Sequence, residues 1–259
     1  MTRELAIANF EALDHVTTSI DEIKTILWDI INTLQIQTRS LAPGLELWRG
    51  RILDARPTYL NEMSYPPPEK ATDQRANRMG QPLFYATSDR HAIFFEINAQ
   101  AGNYYSVCKW KTTSPCLVNR LGYDPLLLEG LGANRPSKSF EHFIAMSADD
   151  RAIDNLISSH FLKSECRDKQ NPRKLSIAIA EVYFAEKIFS GLLYPSLGMY
   201  GDADNITLKP QFADSSLAFL SAEFGVVTTR EGNWCEVQTL DIAERIDASG
   251  RILWKGHLP

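Results

Sequence analysis

A few side chains between positions 49 and 96 could bind a ligand that carries both negative charge and a ring. Arg49 and Arg75 each offer the planar fork of donors that matches the oxygens of a phosphate group. Tyr85 offers an aromatic face on which a ring can stack. The carboxylate of Glu96 could stabilise positive charge that develops on a sugar during bond cleavage. These residue types suit a phosphorylated ligand that contains a ring, but they do not identify the ligand.

Patterns typical of several large enzyme classes are missing from the sequence. There is no G-x-x-x-x-G-K-[S/T] phosphate loop, no H-E-x-x-H zinc helix and no G-x-S-x-G nucleophile elbow. Gly130-Leu-Gly132 starts like a dinucleotide-binding loop, but Arg135 replaces its third glycine, so we predict an ordinary loop. The five histidines are too widely spaced to place two ligands on one helix face, and no metal site is expected.

Length and composition predict one large globular domain with at most a small appendage. A chain of 259 residues, 44% of them hydrophobic, can bury about three quarters of its unfolded surface. Its formal charge of -5 argues against general binding to nucleic acid or to anionic membranes. The chain starts without an apolar signal segment, so we expect a cytoplasmic protein. Four cysteines without C-x-x-C spacing predict free buried thiols, namely Cys108, Cys116, Cys166 and Cys235.

The first 40 residues are predicted to be helical. Apolar residues such as Ile23, Leu27 and Leu34 recur at three- and four-residue spacing behind a candidate cap at Ser19, which predicts an amphipathic helix over 19–37. An earlier helix is expected over about 2–13. The apolar face of the longer helix either packs on the main domain, which we favour, or pairs with a second copy of the chain.

The candidate ligand-binding residues fall on three kinds of element. The segment 45–54, which holds Arg49, has the apolar and β-compatible character of a strand. Five prolines between 57 and 82 exclude a long regular element there, so Arg75 is expected on a long loop. A strand then ends near Tyr85, and Ser88 or Asp89 can cap a helix that carries Glu96.

The rest of the chain mixes further helices and short strands. We predict one helix after 147–150 with His160 on its apolar face, and a second helix over 175–189, although alternation there also permits a buried strand. Short strands are expected at GLLYPS, ITLKP, VVTT, WCEVQTL and RILW. This order of elements predicts an α+β fold.

The order of the candidate residues resembles that of the RES-domain proteins, many of which are toxins of bacterial toxin–antitoxin pairs. The similarity covers about residues 45–210. Its elements, in chain order, are Trp48-Arg49, Arg75-x-Asn77-x-x-Gly80, Phe84-Tyr85, Ala92-x-x-x-Glu96, Gly191-Leu-Leu-Tyr194-Pro195-Ser196 and Asn205.

The resemblance implies both a fold and an activity. The fold is similar to that of ADP-ribosyltransferase toxins, with a split, twisted β core flanked by helices. In this chain it would comprise an N-terminal helical segment over 1–40 and an NAD-binding catalytic domain over 41–259. The implied activity is cleavage of the nicotinamide–ribose bond of NAD, as a glycohydrolase or a phosphorylase, without a metal.

The resemblance also implies roles for individual residues. Glu96 would stabilise the ribose cation, Arg49 and Arg75 would hold the pyrophosphate, and Tyr85 would orient the nicotinamide. Ser196 would bind the ribose or the amide. The candidate catalytic residues are therefore Glu96, Arg75 and Tyr85, and the candidate NAD-binding residues are Arg49, Asn77, Ser196 and Asn205.

Other activities and partners remain open at the level of the sequence. The ADP-ribosyl group could pass to water, to phosphate or to a protein target. The chain could also be a nucleotide-binding module that turns over little substrate and is regulated by a partner. A helix-turn-helix antitoxin is the partner that the resemblance implies, and self-association through the amphipathic helix, over Ile20 to Leu34, is a further alternative.

Overall fold

The computed structural model describes residues 3–14, 17–32, 34–163, 173–232 and 234–256. Its α-helices are α1 Arg3–Glu11, α2 Ile20–Ile31, α3 Arg90–Glu96, α4 Pro125–Leu131, α5 Glu141–Ala145, α6 Ala148–Lys163, α7 Lys174–Tyr183 and α8 Pro210–Ser216. Its strands are β1 Thr38–Leu41, β2 Glu46–Ile52, β3 Phe84–Thr87, β4 Tyr104–Thr112, β5 Cys116–Arg120, β6 Gly191–Pro195, β7 Asp204–Leu208, β8 Leu217–Glu231, β9 Trp234–Ile246 and β10 Ile252–Trp254. The predicted α+β class is confirmed.

The chain divides into two units, each assembled from three separate segments. The first draws on Met1–Arg39, Pro67–Pro82 and Leu117–Pro195. The second draws on Ser40–Pro66, Leu83–Cys116 and Ser196–Pro259. The segment between 57 and 82, which contributes to both, forms only short 3₁₀ turns at Leu60–Met63 and Pro68–Lys70, as its prolines predict.

Helix α2 confirms the cap and the apolar face predicted for the N-terminal region. The Ser19 side chain accepts a hydrogen bond from the Glu22 amide, and the Glu22 side chain caps the Ser19 amide in return. Ile23 and Leu27 are fully buried, and α2 packs against α1 and α7 in the first unit. The apolar face is therefore part of the core of this unit, in agreement with the favoured prediction. The helix ends at Ile31, before the predicted 37, because the chain turns and then extends into β1.

The first unit also corrects the loop predicted around Gly130. Gly130 lies inside α4, which begins with Asp124 as its N-cap and Pro125 in its first turn. Gly132 ends this helix in a left-handed conformation with φ of 91°. The glycine pair marks a helix end rather than a loop, because the preceding cap, proline and leucines favour a short helix.

Two further helices predicted from the sequence are present in the first unit, one of them shorter than predicted. In α6, Ser147 accepts a hydrogen bond from the Asp150 amide, and His160 lies half-buried with its ring 5.3 Å from that of Phe10. The segment at 175–189 is helical only as far as Tyr183, where α7 ends. The same unit holds the parallel strand pair β5 and β6, and β6 is buried along its whole length.

In the second unit the strands follow one another in the order β7-β3-β2-β4-β8-β9-β10, all antiparallel. Strand β2 pairs with β4 at seven positions, whereas it pairs with β3 only at Trp48 and Thr87. The ladder is therefore weakest between β2 and β3. Strands β8 and β9 form a much longer hairpin than the short C-terminal strands that the sequence predicts.

Helix α3 packs against the sheet of the second unit at Gly50. A Cβ atom at Gly50 would lie 2.8 Å from the side chain of Ile93, so a larger residue would push α3 away. Ile93 and Phe94 complete a core cluster with Tyr105 and Val107 of β4. This packing fixes the height and direction of the helix that ends at Glu96.

Three of the predicted thiols are buried and form no disulfide within the described residues, namely Cys108, Cys116 and Cys235. Cys166 lies outside the described residues. No helix in the described part of the chain is both long enough and apolar enough to span a membrane.

Candidate functional site

The carboxylate of Glu96 is held by the hydroxyl group of Ser196. Ser196 Oγ donates a hydrogen bond of 2.6 Å to Glu96 Oε1. Ser196 is fully buried, whereas Glu96 is exposed at the last position of α3. No cation pairs with Glu96 within the described residues. The site thus presents a carboxylate that is held in place and that no cation among the described residues neutralises.

Local sequence explains the position of Glu96. The Asp89 carboxylate caps α3 by accepting hydrogen bonds from the amides of His91, at 2.6 Å, and Ala92, at 3.1 Å. Ala92, Ile93 and Phe94 are buried and turn the helix toward the sheet. Glu96 follows this apolar stretch and is left on the exposed side.

The loop that contains Ser196 is tightly packed against the end of α3. A Cβ atom at Gly198 would lie 2.6 Å from Cβ of Phe95, closer than two such atoms approach. The Ser196 amide donates to the Ala203 carbonyl at 2.8 Å, and the Gly201 amide donates to the Ser196 carbonyl at the same distance. Backbone hydrogen bonds therefore hold Ser196 in place, and the close contact at Gly198 holds its loop against the end of α3.

Arg49 is buried and bonded mainly to backbone carbonyl groups. Its Nε donates to the carbonyl oxygens of Met63, at 3.1 Å, and Ser64, at 3.2 Å. Its Nη1 donates to the carbonyl of Tyr85 at 2.6 Å, beside the weak part of the ladder between β2 and β3. Burial, reinforced by the charge of Arg51, lowers the pKa of Arg49 to about 9. The side chain stays cationic at neutral pH without a carboxylate partner among the described residues.

Tyr85 and Asn205 lie on the neighbouring strands β3 and β7. Tyr85 is half-buried and pairs in register with Thr207, while Asn205 pairs with Thr87. Because side chains alternate along a strand, all four of these residues share one face of the strand pair. Asn205 is nearly buried, and its Oδ1 has no hydrogen-bond partner within the described residues. Buried amide oxygens normally accept a hydrogen bond, and here water or a ligand could supply the donor.

Arg75 and Asn77 belong to the first unit and have contacts there. Arg75 Nη1 donates to the Phe161 carbonyl at 2.6 Å, and its guanidinium lies 5.5 Å from the ring centre of Phe161. Asn77 Nδ2 donates to the carbonyls of Thr72 and Arg78, both at 3.0 Å. These bonds tie the loop together and attach it to the end of α6. The roles of Arg75 and Asn77 toward NAD stay predictions.

Sequence reasoning missed one cation beside Arg49. Arg51 lies two residues further along β2, and its Nη2 donates to the Ser64 carbonyl at 2.9 Å. Burial lowers its pKa as well. The signal was present in the sequence, because two arginines separated by one residue in a strand lie on the same face.

Comparison with protein-family models and with curated proteins gave no match for this chain. Within the described residues, no group of three or more histidine, cysteine, aspartate or glutamate side chains is placed to hold a metal ion.

Proposed function

We propose that this protein consumes NAD by cleaving the bond between nicotinamide and ribose. The observation that carries the proposal is the exposed carboxylate of Glu96, which buried Ser196 holds at 2.6 Å and which no cation neutralises within the described residues. The residues in this arrangement are those that the resemblance to RES-domain proteins selects. That resemblance supplies the identity of the substrate.

The chemistry requires a negative charge that is already in place. Nicotinamide departs with the electron pair of the carbon–nitrogen bond, and the ribose carbon acquires positive charge. A carboxylate held in position stabilises this charge more in the transition state than in the ground state, which accelerates the reaction. An oxygen of water or phosphate then forms the new bond to the same carbon, and water gives up a proton. Ser196 serves to orient the carboxylate.

Two further observations support a phosphorylated nucleotide as the ligand. Arg49 is a buried cation without a carboxylate partner among the described residues, and a pyrophosphate would supply the missing negative charge. Asn205 Oδ1 is buried without a donor in the described part of the chain, and a ribose hydroxyl or a carboxamide N–H could supply one. Tyr85, to which the resemblance assigns the nicotinamide, lies on the same strand pair as Asn205.

The proposal is tested by following NAD and nicotinamide by chromatography with purified protein. We expect wild-type protein to release nicotinamide and the Glu96→Gln variant to lose at least 100-fold in rate, as for removal of a main electrostatic group. Glu129→Gln, which changes an exposed glutamate of α4, serves as the matched control and should retain full rate.

The products distinguish the possible acceptors. ADP-ribose formed without phosphate indicates water, and a phosphorylated ADP-ribose formed in its presence indicates phosphate. Release of nicotinamide only after addition of a cell extract, with label transferred to protein, indicates a protein acceptor. If NAD is stable under all three conditions, or if Glu96→Gln retains the wild-type rate, the proposal is wrong.

A further inference from the structure

We propose that Arg51 acts with Arg49 as one anion-binding unit, the double-arginine site, which binds a phosphoryl group. As the part of the site that would hold the pyrophosphate of NAD, it rests on the proposed function, but its recognition of phosphate can be measured without any turnover. The sequence resemblance assigns no role to Arg51.

The geometry brings the two guanidinium groups together. Arg49 and Arg51 project from the same face of β2, because they are two residues apart in a strand. Both donate to one atom, the carbonyl oxygen of Ser64, from Arg49 Nε at 3.2 Å and from Arg51 Nη2 at 2.9 Å. A single backbone oxygen therefore fixes two cationic side chains in neighbouring positions.

No carboxylate among the described residues compensates the two charges by direct contact. Neither arginine forms an ion pair with a carboxylate within the described residues. The acidic side chain that acts on Arg51 from nearby is Glu62, but its Oε1 already accepts hydrogen bonds from the amides of Thr58 and Tyr59. Two adjacent cations that are partly removed from water repel each other, and a bound anion relieves that repulsion.

Several donors of the pair remain available for such an anion. The bonds described above occupy Nε and Nη1 of Arg49 and Nη2 of Arg51. Nη2 of Arg49 and both Nε and Nη1 of Arg51 have no protein acceptor among the described residues. Guanidinium donors in pairs match the oxygens of phosphate, which is the anion that this arrangement favours.

The phosphoryl group could belong to the pyrophosphate of a dinucleotide or to free inorganic phosphate. Both share the chemistry that the site recognises, and a ligand without phosphate does not. Calorimetric titration with three probes separates these cases. The probes are ADP-ribose, inorganic phosphate and adenosine, which carries no phosphate.

The test compares Arg51→Gln with Arg245→Gln, a control that removes an exposed arginine of β9. We expect Arg51→Gln to weaken binding of ADP-ribose at least tenfold, as for loss of a charged hydrogen bond, and Arg245→Gln to change it less than twofold. Adenosine should bind equally well or equally poorly to both variants. Arg51→Lys, which keeps the charge, should bind with intermediate affinity and serves if Arg51→Gln does not fold.

Each outcome has a defined meaning. A tenfold loss for ADP-ribose identifies the pyrophosphate as the ligand group, and a tenfold loss confined to inorganic phosphate identifies free phosphate. Unchanged affinity of Arg51→Gln for both probes, or no binding of either probe by wild-type protein, overturns the double-arginine site. If ADP-ribose binding depends on Arg51 but the protein does not cleave NAD, the proposed activity is wrong and the double-arginine site stands. If the protein cleaves NAD and Arg51→Gln leaves KM unchanged, the double-arginine site is wrong and the proposed activity stands.

Discussion

Ser196 and Glu96 are 100 residues apart in the sequence and are joined by a hydrogen bond of 2.6 Å. The serine is fully buried and the glutamate is exposed, so the buried residue fixes the direction of the exposed one. Positioning of this kind affects the rate more than the affinity, because a carboxylate that samples several rotamers stabilises the transition state less well.

We therefore expect Ser196→Ala to lower kcat for nicotinamide release by about 10- to 100-fold with little change in KM. The measurement is a full kinetic series at saturating and limiting NAD. Ser215→Ala, which removes an exposed hydroxyl in the second unit, is the control. A Ser196→Ala protein with the wild-type kcat would show that the hydroxyl does not position Glu96.

The second prediction concerns the close contact at Gly198. A methyl group there would meet Cβ of Phe95 at 2.6 Å, so Gly198→Ala must displace the loop or the helix. We expect a loss of about 1–3 kcal/mol in the free energy of unfolding, together with reduced nicotinamide release. Gly130→Ala has open space around it within α4 and should instead stabilise the protein by about 0.5–1 kcal/mol. Denaturant titration of both variants measures the two changes in the free energy of unfolding. Equal changes in the two variants would contradict the prediction.

The third prediction concerns the pH dependence of stability. Asp154 is fully buried in the first unit, and one of its oxygens accepts hydrogen bonds from Gln37 and Ser158. Its other oxygen, Oδ1, has no partner within the described residues. Burial raises the pKa of Asp154 from 3.8 to about 7.

Because its pKa is raised, the folded protein binds this proton more tightly than the unfolded chain does between about pH 4 and pH 7. The Asp154 contribution to the free energy of unfolding is therefore greatest at the acidic end and falls as the pH rises through this range. Asp154→Asn should remove that slope, whereas Asp149→Asn, at an exposed position of α6, should keep it. Denaturant titrations at several pH values measure the difference, and equal slopes in Asp154→Asn and wild-type protein would contradict the assignment.

The fourth prediction tests the N-terminal helix as part of the core. Leu27 is fully buried on α2, so Leu27→Ala should cost about 2–5 kcal/mol. Leu126, which is 76% exposed, provides the matched control, and Leu126→Ala should leave stability almost unchanged. If Leu27→Ala had no effect on stability in the monomer but dissociated a dimer, the apolar face would instead serve self-association.

Local signals were sufficient for the elements that begin with a clear cap. Ser19 predicted the start of α2, and Asp89 is the one of the two predicted candidate caps that starts α3. Such caps act over three residues and can be seen in a short window. Helix α4 has the same kind of start, with Asp124 before a proline, but two glycines within the next eight residues favour a loop in a short window.

The long hairpin of β8 and β9 could not be predicted with its full length. Its residues pair across many positions, and β8 also pairs with β4, which lies more than 100 residues earlier in the chain. Strand propensity depends on such neighbours more than helix propensity does. The same limit applies to the site, because no local pattern places Ser196 beside Glu96. Only the resemblance put these two residues in one group.

Arg49 connects three backbone carbonyls beside the place where β2 and β3 share a single register pair. It therefore acts as a structural crosslink in addition to any role toward a ligand. A related protein without activity would still be expected to keep an arginine here, since its hydrogen bond to the Tyr85 carbonyl adds a link between β2 and β3. The exposed carboxylate at position 96 accepts one side-chain hydrogen bond, from Ser196, and joins no strands. Its presence or absence is therefore the better diagnostic of function among related chains.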